Sequence, residues 1–212
     1  MSKYVLTNNK IEYDGHTLYQ IKRANWSNEY GGYIEDIGIL SQDDDSWVEE
    51  GACVYGESLL QGKIIVKKGA VVKDSELYGN IEIEEDCTLI NCNITPVFHD
   101  GRTTIKNNTI IQNKTMRTVG SYNNKLFNDG KFEVLSNNVI ELILTDNYCR
   151  VNCQTFTYEI AWKIINNDNK LQLYVDKFFN REPMLFSKNN LKWLKEMCAK
   201  ELLRKYKIPY KE

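Results

Sequence analysis

Histidine is the first shortage. Only His16 and His99 occur among 212 residues, so chemistry that needs an imidazole base has two places to reside. Six cysteines are present (Cys53, Cys87, Cys92, Cys149, Cys153 and Cys198), but no CxxC pair and no nearby histidine cluster accompanies them. Cys149 and Cys153, if they share one face of a regular strand, stand about 13 Å apart, too far to chelate one ion. Asp43, Asp44 and Asp45 lack the glycine and distal glutamate of a calcium loop. There is no phosphate-binding glycine loop, no GxSxG elbow and no GxGxxG. Neither a metal nor a cofactor is expected. No run of about 18 apolar residues exists for a membrane span, and MSKYVLTNNKIEYDG lacks the apolar centre of a signal peptide. A cytoplasmic protein with buried free thiols is the reading that follows.

What the chain does contain is a beat of six. Val48, Val54, Leu60, Val66 and Val72 return every sixth position. After a slip of one residue the beat resumes at Leu77, Ile83 and Leu89. A helix recurs near 3.6 and a strand at 2, so a longer fixed period means stacked, self-similar rungs. Four places after each apolar residue stand mostly small ones: Ala52, Ser58, Ile64 and Ala70, then Ile81 and Cys87. Gly51, Gly56, Gly62, Gly69, Asp74 and Gly79 supply turns between them. The pattern predicts a three-sided coil of 18 residues per turn and resembles the hexapeptide repeat of left-handed parallel β-helices. A row of short antiparallel strands with glycine turns would not hold a six-residue phase so long.

Around the coil the sequence changes character. Residues 3–21 read as a hairpin about Asp14-Gly15, placed to cover the open first coil, and GGYIEDIGILSQ leads in as an irregular first rung. The beat resumes at Ile105 and Ile111 after Thr95–Arg102 loops out. Strands are expected at 131–135, 139–145 and 149–156, and helices over 157–179 and from Ser187 to Pro209. The expected fold is mainly β: a short left-handed parallel β-helix with its hairpin cap over 1–117, then an α+β unit over 118–212 that ends in a helix. No low-complexity linker joins them.

Several segments resemble one family. The opening YVLTNNKIEYDGHTLYQIKRA, GGYIE followed by LSQ and a tryptophan, the VYGES rung, TVGS at 118–121, DGKFEV at 129–134 and VNCQTFTYE at 151–159 are similar to hexapeptide-repeat proteins common in phages and bacterial mobile elements. Within the repeat only Val54-Tyr55-Gly56 keeps that family's form, and Gln154 stands where a glycine between two cysteines is the pattern. The resemblance implies the fold and a phage-like setting; it brings no established activity and no site.

Charge is unevenly shared. From Glu35 to Asp100 there are 15 Asp or Glu against four Lys, and from Lys188 to Glu212 eight Lys or Arg against three Glu. An acidic coil can steer a basic or nucleic-acid-binding protein partner, and Glu49, Glu50, Glu57, Glu82, Glu84 and Glu85 are the candidate partner-binding residues. Lys188, Lys192, Lys195, Arg204 and Lys205 read as a solvated helix face, or one that meets the acidic coil of a second subunit, so a homo-oligomer is expected and direct nucleic-acid binding is not. The leading expectation is a non-enzymatic interaction protein, an inhibitor of a host defence system. Two alternatives stand beside it: an acyltransferase, which similarity to other left-handed β-helix enzymes suggests, with His99 as base oriented by Asp100, and a sponge holding small molecules between subunits. His16, in the hairpin turn, reads as surface polar.

Overall fold

The computed structural model describes residues 2–24, 28–96, 101–118, 120–130, 132–136, 141–151 and 154–157, together with Glu196. The chain divides into two compact units, Met1–Asn128 and Asp129–Glu212.

The first unit is a parallel β-solenoid of about five turns. It opens with β1 (Tyr4–Tyr13) and β2 (His16–Arg23), followed by β3 (Tyr30–Ile34), β4 (Trp47–Val48), β5 (Cys53–Tyr55), β6 (Leu59–Val66) and β7 (Val71–Lys73). Then come β8 (Glu76–Ile83), β9 (Thr88–Pro96), β10 (Thr103–Ile105), β11 (Ile110–Thr118) and β12 (Gly120–Tyr122). A single helical turn, α1 (Asn124–Phe127), closes the series. From β3 onward every pairing in this sheet is parallel.

Three columns of inward side chains make the core. Ile34, Val54, Val72, Leu89 and Ile111 stack in register. So do Leu40, Leu60, Leu77, Ile94 and Met116, and Val48, Val66, Ile83, Ile105 and Tyr122. None of the fifteen is more than 1% exposed. All eight residues of the six-residue beat are among them, and the beat reaches back to Ile34 and Leu40 in the irregular first rung. It also reaches forward past residue 117, because β12 adds Tyr122 to the stack. The slip has a location: Gly56-Glu57-Ser58 in one coil faces only Asp74-Ser75 in the next, between the pairs Tyr55↔Lys73 and Leu59↔Glu76.

Buried polar side chains tie one coil to the next at the turns. Ser58 Oγ accepts the Ser75 N–H at 3.2 Å, and Ser75 Oγ accepts the Cys92 N–H at 3.0 Å. Cys92 Sγ donates in turn to carbonyls of Ile90 and Ile111. Burial pushes the thiols of Cys87 and Cys92 above their ordinary values. Cys53, Cys87 and Cys92 are free and buried, and Cys149 is buried.

The hairpin forms about Asp14 (φ 50°) and Gly15 (φ 82°). β2 pairs antiparallel with β3, which pairs parallel with β5. Cys53 and Tyr55 flank inward Val54 and so point outward, yet both are buried, because Leu18, Ile11 and Tyr33 pack on them beside Val71. At the other end Asn124 Oδ1 accepts the Ile110 N–H at 2.7 Å and its Nδ2 donates to the Asn108 carbonyl at 2.6 Å. That side-chain amide does for the last coil what a further strand would do.

The second unit contains an antiparallel sheet of β13 (Glu133–Ser136), β14 (Glu141–Leu144), β15 (Tyr148–Val151) and β16 (Gln154–Thr157). Asp146 and Asn147 form the turn between β14 and β15. The single strand expected over 149–156 is instead two antiparallel strands, since Val151 pairs with Gln154. The helices expected over 157–179 and from Ser187 fall outside the described residues, apart from Thr157, which ends β16, and Glu196, which is helical. Among the described residues no helix is long and apolar enough to cross a membrane.

Candidate functional site

One edge of the solenoid gathers most of the candidate carboxylates. The residue after each member of the Val48 column starts a turn, and its N–H donates across to the next coil. These bonds are Glu49 to Val66, Lys67 to Ile83, Glu84 to Ile105 and Lys106 to Tyr122, at 2.8–2.9 Å. Glu49, Lys67, Glu84 and Lys106 therefore stack with alternating sign, at the coil spacing of about 4.8 Å. At the following, exposed positions Glu50, Lys68 and Glu85 repeat the alternation, and uncharged Asn107 ends it.

Ion pairs fix this array. Lys67 Nζ meets Glu82 Oε1 at 2.5 Å, Arg102 bonds the other oxygen of Glu82, and Lys106 Nζ meets Glu84 Oε1 at 3.1 Å. The Asn107 N–H donates to Glu84 Oε2 at 3.0 Å. Burial alone would raise the Glu84 carboxyl, but Lys106 and that amide outweigh it and hold it below the ordinary value. The hydrogen bond that Lys67 donates to Glu82 raises the Lys67 ammonium. Beside the ladder an open groove of about 360 Å³ is lined by Gly51, Lys68, Gly69, Glu85 and Asp86.

Five of the six candidates, Glu49, Glu50, Glu82, Glu84 and Glu85, thus share an edge, but lysines interleave them. Glu57 lies at a different corner, where its N–H donates to Asp74 Oδ1 at 3.0 Å. The linear count of acids could not reveal this, because coil length decides which charge stacks on which. His99 and Asp100 lie outside the described residues. Among the described residues no group of three His, Cys, Asp or Glu could hold a metal.

A second constellation escaped the sequence reading. His16 Nδ1 meets Glu35 Oε1 at 2.9 Å, and Glu35 Oε2 accepts the Gly56 N–H at 2.7 Å. Tyr55 donates to Asp14 Oδ2 at 3.1 Å, as does Lys73 at 2.6 Å. The His16 ring lies 5.0 Å from that of Tyr55. The hydrogen bond from His16 and that from Gly56 lower the Glu35 carboxyl; burial and Asp14 push the Tyr55 phenol up. These contacts pin the hairpin tip to the coils, which makes His16 a tether more than a solvated turn residue. Its sequence signal was slight: Tyr55 and Lys73 approach Asp14 only once the coil register is known.

Neither any model of a known protein family nor any curated protein matches the chain.

Proposed function

We propose that the protein is a non-enzymatic interaction protein, a left-handed parallel β-helix of hexapeptide repeats capped by its hairpin, whose charged edge docks a protein partner. The observation that carries this is the ladder of Glu49, Lys67, Glu84 and Lys106, held by backbone bonds and ion pairs across four coils. An array fixed before binding loses little side-chain freedom on docking. Its alternating sign suits a protein surface with alternating charges better than a mimic of the nucleic-acid backbone, which needs one sign throughout. The groove beside Lys68 suits a single side chain of the partner. The phage-like resemblance of the hairpin and the VYGES rung supplies the setting, inhibition of a host defence protein.

The test is capture from host lysate with wild-type protein and with Glu50→Lys/Glu85→Lys, which touches the outer, exposed row. Specific capture that weakens with salt and is lost in the variant supports the reading. Capture equal in both proteins, or indifferent to salt, rejects this edge as the interface.

A further inference from the structure

Among the described residues β1 is an edge strand: β2 pairs with one side of it, and no strand pairs with the other. Near its start that outer side is occupied, since the Gln42 amide accepts the Tyr4 N–H and donates to the Tyr4 carbonyl, each at 3.3 Å. Past an irregularity between Leu6 and Lys10 the strand re-forms and runs to Tyr13. The turn after it has two residues, both with positive φ, which makes Tyr13 and His16 a hydrogen-bonded pair. Alternation along an antiparallel strand then points the N–H and C=O of Glu12 and Lys10 away from β2. Lys10, Glu12 and Tyr13 are exposed, while Ile11 is half-buried in the cluster beneath the hairpin. Glu12 accepts the Thr17 hydroxyl on one oxygen at 2.8 Å, leaving the other for a cation.

We propose that β1 pairs antiparallel with β1 of a second copy of this chain, about a twofold axis at Ile11, and joins two solenoids through one continuous sheet. The segment is self-complementary in this register. Lys10 stands opposite Glu12 of the second copy and Glu12 opposite its Lys10, and the outward N–H and C=O groups of these two residues bond reciprocally. Ile11 meets its own counterpart on the face that already carries the apolar cluster. An unguarded strand edge is a template for such pairing, and opposite charges directly across from one another favour this register over a slipped one. The shared segment is short, so the dimer is weak, with a dissociation constant of about 10 μM, as small interfaces give.

Sedimentation equilibrium of the full chain tests it. Wild type is expected to pass from monomer to dimer over the micromolar range. Lys10→Glu and Glu12→Lys each place like charges across the axis and weaken the dimer at least tenfold, and the swap K10E/E12K restores it to within about threefold of wild type. Thermal midpoints of all four proteins at monomeric concentration are expected to agree, since both side chains are exposed. A wild-type mass that stays monomeric at about 300 μM, far above the expected constant, overturns the proposal. So do single variants that dimerise like wild type, and so does a swap that fails to recover.

Discussion

Gly69 has a φ of 75°, and Asp86, its counterpart one coil on, has 55°. Asp86 Oδ1 lies where a Cβ on Gly69 would be, so the aspartate uses the space that glycine leaves open. Gly69→Ala therefore meets both backbone strain and a clash. The expected loss is about 2 kcal/mol, read as a fall in the urea midpoint. In the background of Asp86→Gly, which also suits a left-handed position, the loss shrinks; a loss unchanged in that background would remove the steric half of the explanation. All six turn formers read from sequence, Gly51, Gly56, Gly62, Gly69, Asp74 and Gly79, do have positive φ. Asp86, Asn91, Asn108 and Asn113 share that conformation without having been legible, because Asn and Asp tolerate it but occupy many other conformations too.

Between elements, carboxylates complete the turns of neighbouring coils. Glu35 accepts the Gly56 N–H, Asp44 the Gly62 N–H at 2.5 Å, and Glu84 the Asn107 N–H. Part of the acidic composition that suggested a binding face thus has a structural role, which no count along the chain could separate from a surface role. Burial pushes against ionisation of Asp44, but Ser46, Gly62 and Lys3 outweigh it and its carboxyl is held low, as are those of Glu35 and Glu84. The folded state then binds fewer protons than the unfolded chain in acid. The stabilisation is complete above the unfolded values of 4.5 for the glutamates and 3.8 for Asp44, and it is lost as pH falls through the lower folded values. Urea midpoints are expected to fall with pH below about 4.5. Glu35→Gln/Asp44→Asn should flatten that fall while lowering stability at pH 7; an equally steep fall would assign acid sensitivity to other groups.

On the scale of the molecule, the solenoid's stability resides in three columns of apolar side chains, each touching its neighbours above and below. The six-residue beat exposed the middle of those columns because a regular rung forces the same residue class into the same place. Their ends were legible less well. Ile34 and Leu40 keep the six-residue spacing, as do Met116 and Tyr122, but Leu40 stands eight residues before Val48 and Met116 five after Ile111, so the phase breaks before it reaches them. Leu77 is fully buried in the central coil, and Leu77→Ala is expected to cost about 2–5 kcal/mol. Calorimetry would show this as a lowered transition temperature. A shift of less than about 2 °C, far below what such a loss gives in a unit of this size, would mean that the column repacks. The one-residue slip carries a wider consequence. Contacts separated by 18 residues in one coil are separated by 17 in the next and by 22 beyond it, while the columns stay in register. Faces therefore resist changes of length and corners absorb them. In descent, insertions and deletions among relatives of this chain would collect at corners such as 56–58, and the stacked faces would keep their length.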